Sequence, residues 1–135
     1  MLVARDFRFE AAHRLPDHPG KCRHLHGHSY RLRVVCSAPV NEQTGLAIDF
    51  AELKRIVQTE VLEHLDHADL NDRFPIPSAE LIAIWFWDAL TATGLTLHEI
   101  ELKETEVCSV IYRGEGLGGA VVSDAGAAPG GADGP

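Results

Sequence analysis

The residues best suited to chemistry in this 135-residue chain lie between Cys22 and Tyr30, in the order Cys-Arg-His-Leu-His-Gly-His-Ser-Tyr. The run continues with the alternation of a strand. His26, His28, Tyr30, Leu32, Val34 and Cys36 share one face, and Gly27, Ser29, Arg31 and Arg33 the other. Residues two apart on a strand are roughly 6.5–7 Å apart along it, so the rings of His26 and His28 can lean onto one ion. That is the beginning of a histidine-rich zinc site, whose third ligand must come from another element. Leu2 to Leu15 supplies a candidate: it alternates as well, and Val3, Phe7, Phe9 and Ala11 share a face with His13. Pro16, Asp17, Pro19 and Gly20 mark a connecting loop, and an antiparallel hairpin through it brings His13 opposite His26 and His28.

Three neutral imidazoles leave zinc an open fourth position, the arrangement of a catalytic site. Cys22, four residues before His26 and flanked by Lys21 and Arg23, sits where a thiolate is favoured. It can serve there as a general base or nucleophile, or as a fourth ligand that closes a structural site. Asp66 and His67 are adjacent at the exit of a predicted helix; a histidine held by a carboxylate is a proton carrier suited to neutral pH. Glu104 continues the apolar side of a predicted strand, where a carboxylate needs a partner with hydrogen-bond donors. His18, His24, His64 and His98 are read as bystanders, with His24 in doubt because it lies inside the motif.

The elements that must position these groups follow from the periodicity. Asp49 can cap a helix, with Glu52 three residues on as in a capping box, and Phe50, Leu53, Ile56, Val57, Val61 and Leu65 form its apolar stripe. Ser78 and Glu80 open a second helix that runs to about Thr93 before Gly94, and its residues 81–90 are apolar nearly all the way round. Such a helix is expected to pack on its own sheet and against something else, such as another subunit. Leu97 to Glu104 and Val107 to Tyr112 read as strands joined by a short link at Thr105-Glu106. The order is ββααββ, an α+β arrangement with a four-stranded antiparallel sheet. Residues 1–115 form one domain, and the Gly/Ala/Pro-rich segment 116–135 reads as a flexible tail.

The bulk properties narrow the functional classes. With 45% hydrophobic residues the chain suits one domain with its own core. No apolar run reaches the length of a membrane span, and the N-terminus lacks the apolar region of a signal peptide, so a cytoplasmic protein without a membrane partner is expected. The odd count of three cysteines, Cys22, Cys36 and Cys108, points to reduced thiols. A net charge of −8 argues against a nucleic-acid partner. The charge is uneven, however: residues 1–33 carry seven bases and three acids, net +4, a field that can draw an anionic small substrate to the metal.

Several stretches together resemble the 6-pyruvoyl-tetrahydropterin synthase family. They are Phe9-Glu-Ala-Ala-His13-Arg-Leu-Pro, Cys22-x-x-x-His26-Gly-His28-Ser, Ile48-Asp-Phe-Ala-Glu-Leu-Lys54, Leu65-Asp66-His67-x-x-Leu-Asn-Asp72, Lys103-Glu104-Thr105 and Ile111-Tyr-Arg-Gly-Glu115. The likeness covers residues 2–115 in order and is strongest to the family's bacterial branch, in which the substrate side chain breaks with loss of acetaldehyde. The resemblance implies the tunnelling fold, in which subunits join their sheets into a barrel as a homo-oligomer, a trimer or hexamer. It implies zinc held by His13, His26 and His28, Cys22 as the proton-abstracting base, Asp66 with His67 as the acid–base pair, and Glu104 as the anchor of a pterin ring. The implied substrate is 7,8-dihydroneopterin triphosphate. Ser78 stands where the family usually has a threonine after proline, a change that keeps the hydroxyl offered to substrate, and His24 stands beside Cys22 where a non-ligand is expected.

Overall fold

A computed structural model describes residues 1–118. Its centre is a sheet with strands β1 (Leu2–His13), β2 (His26–Ser37), β3 (Ala68–Asp69), β4 (Leu97–Lys103) and β5 (Ser109–Tyr112), in the order β3-β1-β2-β4-β5. Neighbours run antiparallel except β3, which lies parallel to Ala11 and Ala12 of β1. The four expected strands are therefore joined by a fifth. Two residues carry no alternation to read; β3 forms because the chain leaves its helix extended at Asp66 and is tied to β1 by the Glu10 main chain.

The first helical run begins with α1 (Phe50–Val57), widens through a π-turn at Gln58–Leu62, and closes with one turn, α2 (Glu63–Leu65). Asp49 caps it by accepting from the Ala51 N–H, but the reciprocal half of the capping box is absent, because the Glu52 carboxylate is taken by Arg55 at 2.8 Å. The π-turn inserts a residue into the helical repeat, and adjacent Val61 and Leu62 are both buried as a result. Phe50, at the first helical position, lies outside the apolar stripe expected for it and is 57% exposed. The second long helix, α3 (Ala79–Thr91), starts at Ser78, whose hydroxyl accepts from the Leu81 N–H. It ends two residues earlier than expected, and Gly94 reverses the chain with φ +97°.

Both helices cover one face of the sheet. Phe7, Phe9, Tyr30, Leu32, Ile100 and Leu102 from the strands pack with Leu53, Val57, Val61, Ile82, Phe86 and Leu90 from the helices. Burying each large side chain contributes about 1.5–3 kcal/mol, so this layer holds the strand register firmly. The opposite face carries Asp6, Arg8, Glu10, Ser29, Arg31 and Arg33, all exposed. Phe9 sits at the centre of the core, stacked on Tyr30 at 4.8 Å and edge-on to Phe86 at 5.8 Å. Tyr30 in turn touches the rings of His13 and His28, with centroids 6.2 and 5.5 Å away. The aromatic core thus runs directly into the histidine-bearing ends of β1 and β2.

Candidate active site

The β1–β2 register places His13 directly across from His26 and Ala11 across from His28. All three imidazoles therefore emerge on the helix-covered face at one end of the hairpin. Their rings are steeply inclined to one another, at 64° to 88°, with centroids 4.7 to 5.0 Å apart. One donor nitrogen from each lies within 4.8 Å of the other two.

Main-chain carbonyls fix which nitrogen each ring presents. His13 Nδ1 lies 2.7 Å from the Pro77 carbonyl, and His26 Nδ1 lies 2.7 Å from the His24 carbonyl. A carbonyl can only accept, so both Nδ1 atoms carry the proton, and in the neutral rings the Nε2 atoms are the ones with a free lone pair. The Tyr30 hydroxyl lies 3.4 Å from the same His13 Nδ1. The Nε2 atoms of His13 and His28 are buried and have no hydrogen-bond partner. Buried lone pairs without a partner are costly, and convergence on one point makes them fit for a cation. Burial also lowers the pKa of His28, an effect that the neighbouring His13 and His26 reinforce and Glu104 opposes; the unprotonated ring is the one that binds metal. The donor set, three nitrogens with no thiolate or carboxylate among them, could hold a metal ion and leave it a free coordination position.

Glu104, one residue beyond β4, continues the inward-facing series of Ile100 and Leu102 and is partly buried. Its carboxylate lies 3.6 Å from His13 Nε2 and 3.9 Å from His28 Nε2. It faces the bare nitrogens without belonging to the trio, a negative charge at the mouth of the site. The β4–β5 link that carries it is pinned by the Thr105 hydroxyl, which accepts from the Val107 and Cys108 N–H groups.

Cys22 lies in a 3-10 turn, Lys21–Arg23, whose Cys22 carbonyl accepts from the Leu15 N–H at 2.8 Å. The thiol is partly buried, and it is not among the donors clustered with His13, His26 and His28. Ser78 acts on the site from behind: it caps α3 next to Pro77, whose carbonyl orients His13.

Asp66 and His67 occupy the opposite side of β1. Asp66 Oδ1 accepts from the Glu10 N–H at 2.9 Å and lies 3.1 Å from His67 Nδ1, while the His67 N–H donates to the Glu10 carbonyl. His67 takes φ +61°, and its ring is 78% exposed. Among the described residues no hydrogen bond or ion pair joins this couple to the three histidines. A shallow groove of about 510 Å³ runs along the sheet edge between them, lined by Glu10, Gly27, His28, Ser29, His67 and Asp69 among others.

Residues 2–115 match the family described as 6-pyruvoyl tetrahydropterin synthase. The chain belongs to this family of enzymes. It is 42% identical over 118 residues to a 6-carboxy-5,6,7,8-tetrahydropterin synthase of Synechocystis, covering 82% of this chain and 92% of that one. It is 36% identical to a 6-pyruvoyl tetrahydrobiopterin synthase of Dictyostelium discoideum, covering 71% and 76%. Its fold superposes on the 6-pyruvoyl tetrahydropterin synthase of Caenorhabditis elegans with a TM-score of 0.76 at 26% identity, over 85% of this chain and 96% of that one.

For a member of this family, three contributors escaped the sequence reading: the Pro77 carbonyl, the His24 carbonyl and the Glu10 main chain. Main-chain groups leave no trace in residue type. His24, in doubt as a competing ligand, contributes through its carbonyl while its own side chain is exposed.

Proposed function

We propose that the chain is a zinc-dependent enzyme that converts 7,8-dihydroneopterin triphosphate and one water to 6-carboxy-5,6,7,8-tetrahydropterin, acetaldehyde and triphosphate. This places it in queuosine and 7-deazapurine biosynthesis, in the cytoplasm. The observation that carries the reading is the convergence of three imidazoles, two of them with unpartnered buried nitrogens, in a chain whose Synechocystis relative bears the carboxy-forming name. Among the described residues no helix is long and apolar enough to cross a membrane.

In this reading His13, His26 and His28 hold the zinc, which supplies Lewis-acid polarisation of the substrate's side-chain hydroxyls. Glu104 receives two hydrogen bonds from the pterin N3 and 2-amino donors and so fixes the ring. The Cys22 thiolate removes a proton from the carbon beside a hydroxyl, and His67, oriented through Nδ1 by Asp66, carries protons at its Nε2. Ser78, whose oxygen caps α3, is the hydroxyl offered to substrate in this reading.

The placement of the Asp66–His67 couple across β1 from the trio supports a homo-oligomer, in which the couple of one subunit serves the pocket of another. The outer strands β3 and β5 support the same reading. They leave sheet edges able to pair with other copies and close a trimeric barrel, two of which make a hexamer. The catalytic domain is residues 1–115; most of the proposed tail, 119–135, lies outside the described residues.

A second reading, the pyruvoyl-forming reaction without carbon–carbon cleavage, uses the same residues and is favoured by the Dictyostelium relative's name. The absence of Cys22 from the donor cluster weighs against a closed structural site. Incubation of zinc-loaded protein with 7,8-dihydroneopterin triphosphate, followed by mass spectrometry, tests these. Carboxytetrahydropterin with acetaldehyde is expected; pyruvoyl-tetrahydropterin assigns the second reading, and no turnover removes both.

A further inference from the structure

The sheet face turned away from the helices carries a second concave site with a different charge. A cavity of about 320 Å³ is lined by Asp6, Phe7, Arg8, Arg31, Leu32, Arg33, Glu101 and Lys103. The register explains its composition. Arg8 pairs across with Arg31, and Arg31 pairs across with Lys103, so three cations on three adjacent strands form one row perpendicular to the chains. Side chains directly opposite each other have Cβ atoms about 4.5–5.5 Å apart, and like charges at that spacing are destabilising.

Acids on the protein neutralise only part of this row. Arg33 lies one step along and is matched by Asp6 at 3.0 Å. Arg31 reaches Glu106 only at 3.8 Å, and that carboxylate is 83% exposed. Among the described residues Arg8 and Lys103 make no ion pair. A chain of net charge −8 thus gathers unmatched cations in one hollow against its overall trend. Two guanidiniums offer planar, forked donor sets that match phosphate oxygens, and the ammonium adds a point charge.

We propose that the Arg8–Arg31–Lys103 row binds an oligophosphate anion, either inorganic or the phosphate chain of a nucleotide. A row spanning three strands covers roughly 10 Å, which suits two or three linked phosphates better than one. Arg8 and Arg31 point to the opposite face from His13 and His28, so this site is separate from the metal centre and stands or falls without the reading of that centre.

The test is calorimetric titration of the intact zinc-loaded protein with inorganic triphosphate at about 0.15 M salt, where weak surface attraction is largely screened. Saturable binding is expected, at least about tenfold tighter than orthophosphate, a difference worth about 1.4 kcal/mol. The Arg8→Gln/Arg31→Gln variant is expected to lose at least that factor and to flatten the salt dependence by about one log unit per removed contact. His28→Ala is expected to bind as the parent does. Lys103→Gln, a single change at the rim of the row, provides a second variant if the double one does not fold. Thermal melts add a sign that a purely structural role does not give: without ligand the double variant melts higher, because the facing like charges have been removed, yet triphosphate no longer raises its Tm. A nucleoside triphosphate titrated alongside tells the sources apart. Equal affinity assigns recognition to the phosphate chain alone, tighter binding assigns a nucleotide, and each supports the site. The proposal is overturned by non-saturable binding, by unchanged affinity in the variants, or by loss of binding in His28→Ala. A change of oligomeric mass in place of a change in binding also overturns it, because the row then meets acids of a second copy.

Discussion

The three histidines and the Asp66–His67 couple lie on either side of the same strand, and they are built in different ways. The trio stands on a hairpin of two long strands whose register places His13 across from His26. It is backed by Tyr30 and Phe9 and held by two carbonyls at 2.7 Å. His67, by contrast, is 78% exposed, takes a left-handed backbone and is tied to β1 by the main chain of one residue, Glu10. The difference teaches how the division of labour is set. In the proposed reading the trio is the metal site, which needs fixed distances between donors and stands on two long paired strands, and the couple on the edge is a group that a neighbouring chain would complete.

The largest effects are expected on the stiff side. His26→Ala or His28→Ala should abolish stoichiometric metal binding, read by elemental analysis of the purified protein, and with it turnover. His13→Ala should do the same and also lower stability by about 2–4 kcal/mol in denaturant titration, because it empties a buried position. Retention of a full metal complement in any of the three breaks the assignment of the trio.

Next comes Cys22. Loss of a proton-transferring group costs about 10²–10⁴-fold in rate, so Cys22→Ala should keep its zinc while turnover falls by that order. Loss of zinc instead would move the thiol into the coordination sphere and turn the stiff side into a closed structural site.

On the edge side the expected pattern is a split between rate and stability. A non-glycine residue at φ +61° carries about 1–2 kcal/mol of backbone strain that glycine relieves. His67→Gly should therefore unfold no more easily than the parent, and up to about 1 kcal/mol less easily, while turnover drops and zinc content stays full. Restored turnover in mixtures of His67→Gly with Cys22→Ala chains would show that the two groups serve a shared pocket from different subunits. A homogeneous activity loss in such mixtures would place them in the same chain's site.

The same contrast explains what could be read from the sequence. Long alternating runs made β1 and β2, their faces and the convergence of His13, His26 and His28 legible, because a period of two assigns each side chain to a face once the hairpin is recognised. Asp49 and Ser78 marked both helix starts. Short and main-chain-driven features were not legible. Ala68–Asp69 is too brief to show a period and pairs only because Asp66 and His67 are bonded to Glu10. Glu52 looked like the return half of a capping box, but Arg55 three residues on competes for it and wins with two hydrogen bonds. Glu104 was legible as an inward carboxylate, yet its distance to the trio depends on where the β4–β5 link turns, and that is set by the Thr105 hydroxyl. Close packing that no local pattern records also matters there: a side chain at Gly114, φ +88°, would meet the Trp87 ring at 2.8 Å.

The smallest effect expected is in pH dependence, and it sharpens the comparison because it tests a residue of the histidine trio directly. His28 has its pKa lowered from the ordinary 6.5, first by burial. In the unfolded chain the ring takes up a proton as pH falls through about 6.5, whereas in the folded, metal-free protein it does so only at lower pH. Between these values the unfolded state binds more protons, so stability declines as pH falls, and the loss is complete once the folded ring has also titrated. Thermal melts of chelator-treated protein should show Tm decreasing by a few degrees from pH 7.5 to pH 5.5, and His28→Gln should reduce that slope. Zinc should steepen the decline further, since each bound imidazole must be unprotonated. An equal slope in the parent and in His28→Gln would show that another group governs acid sensitivity.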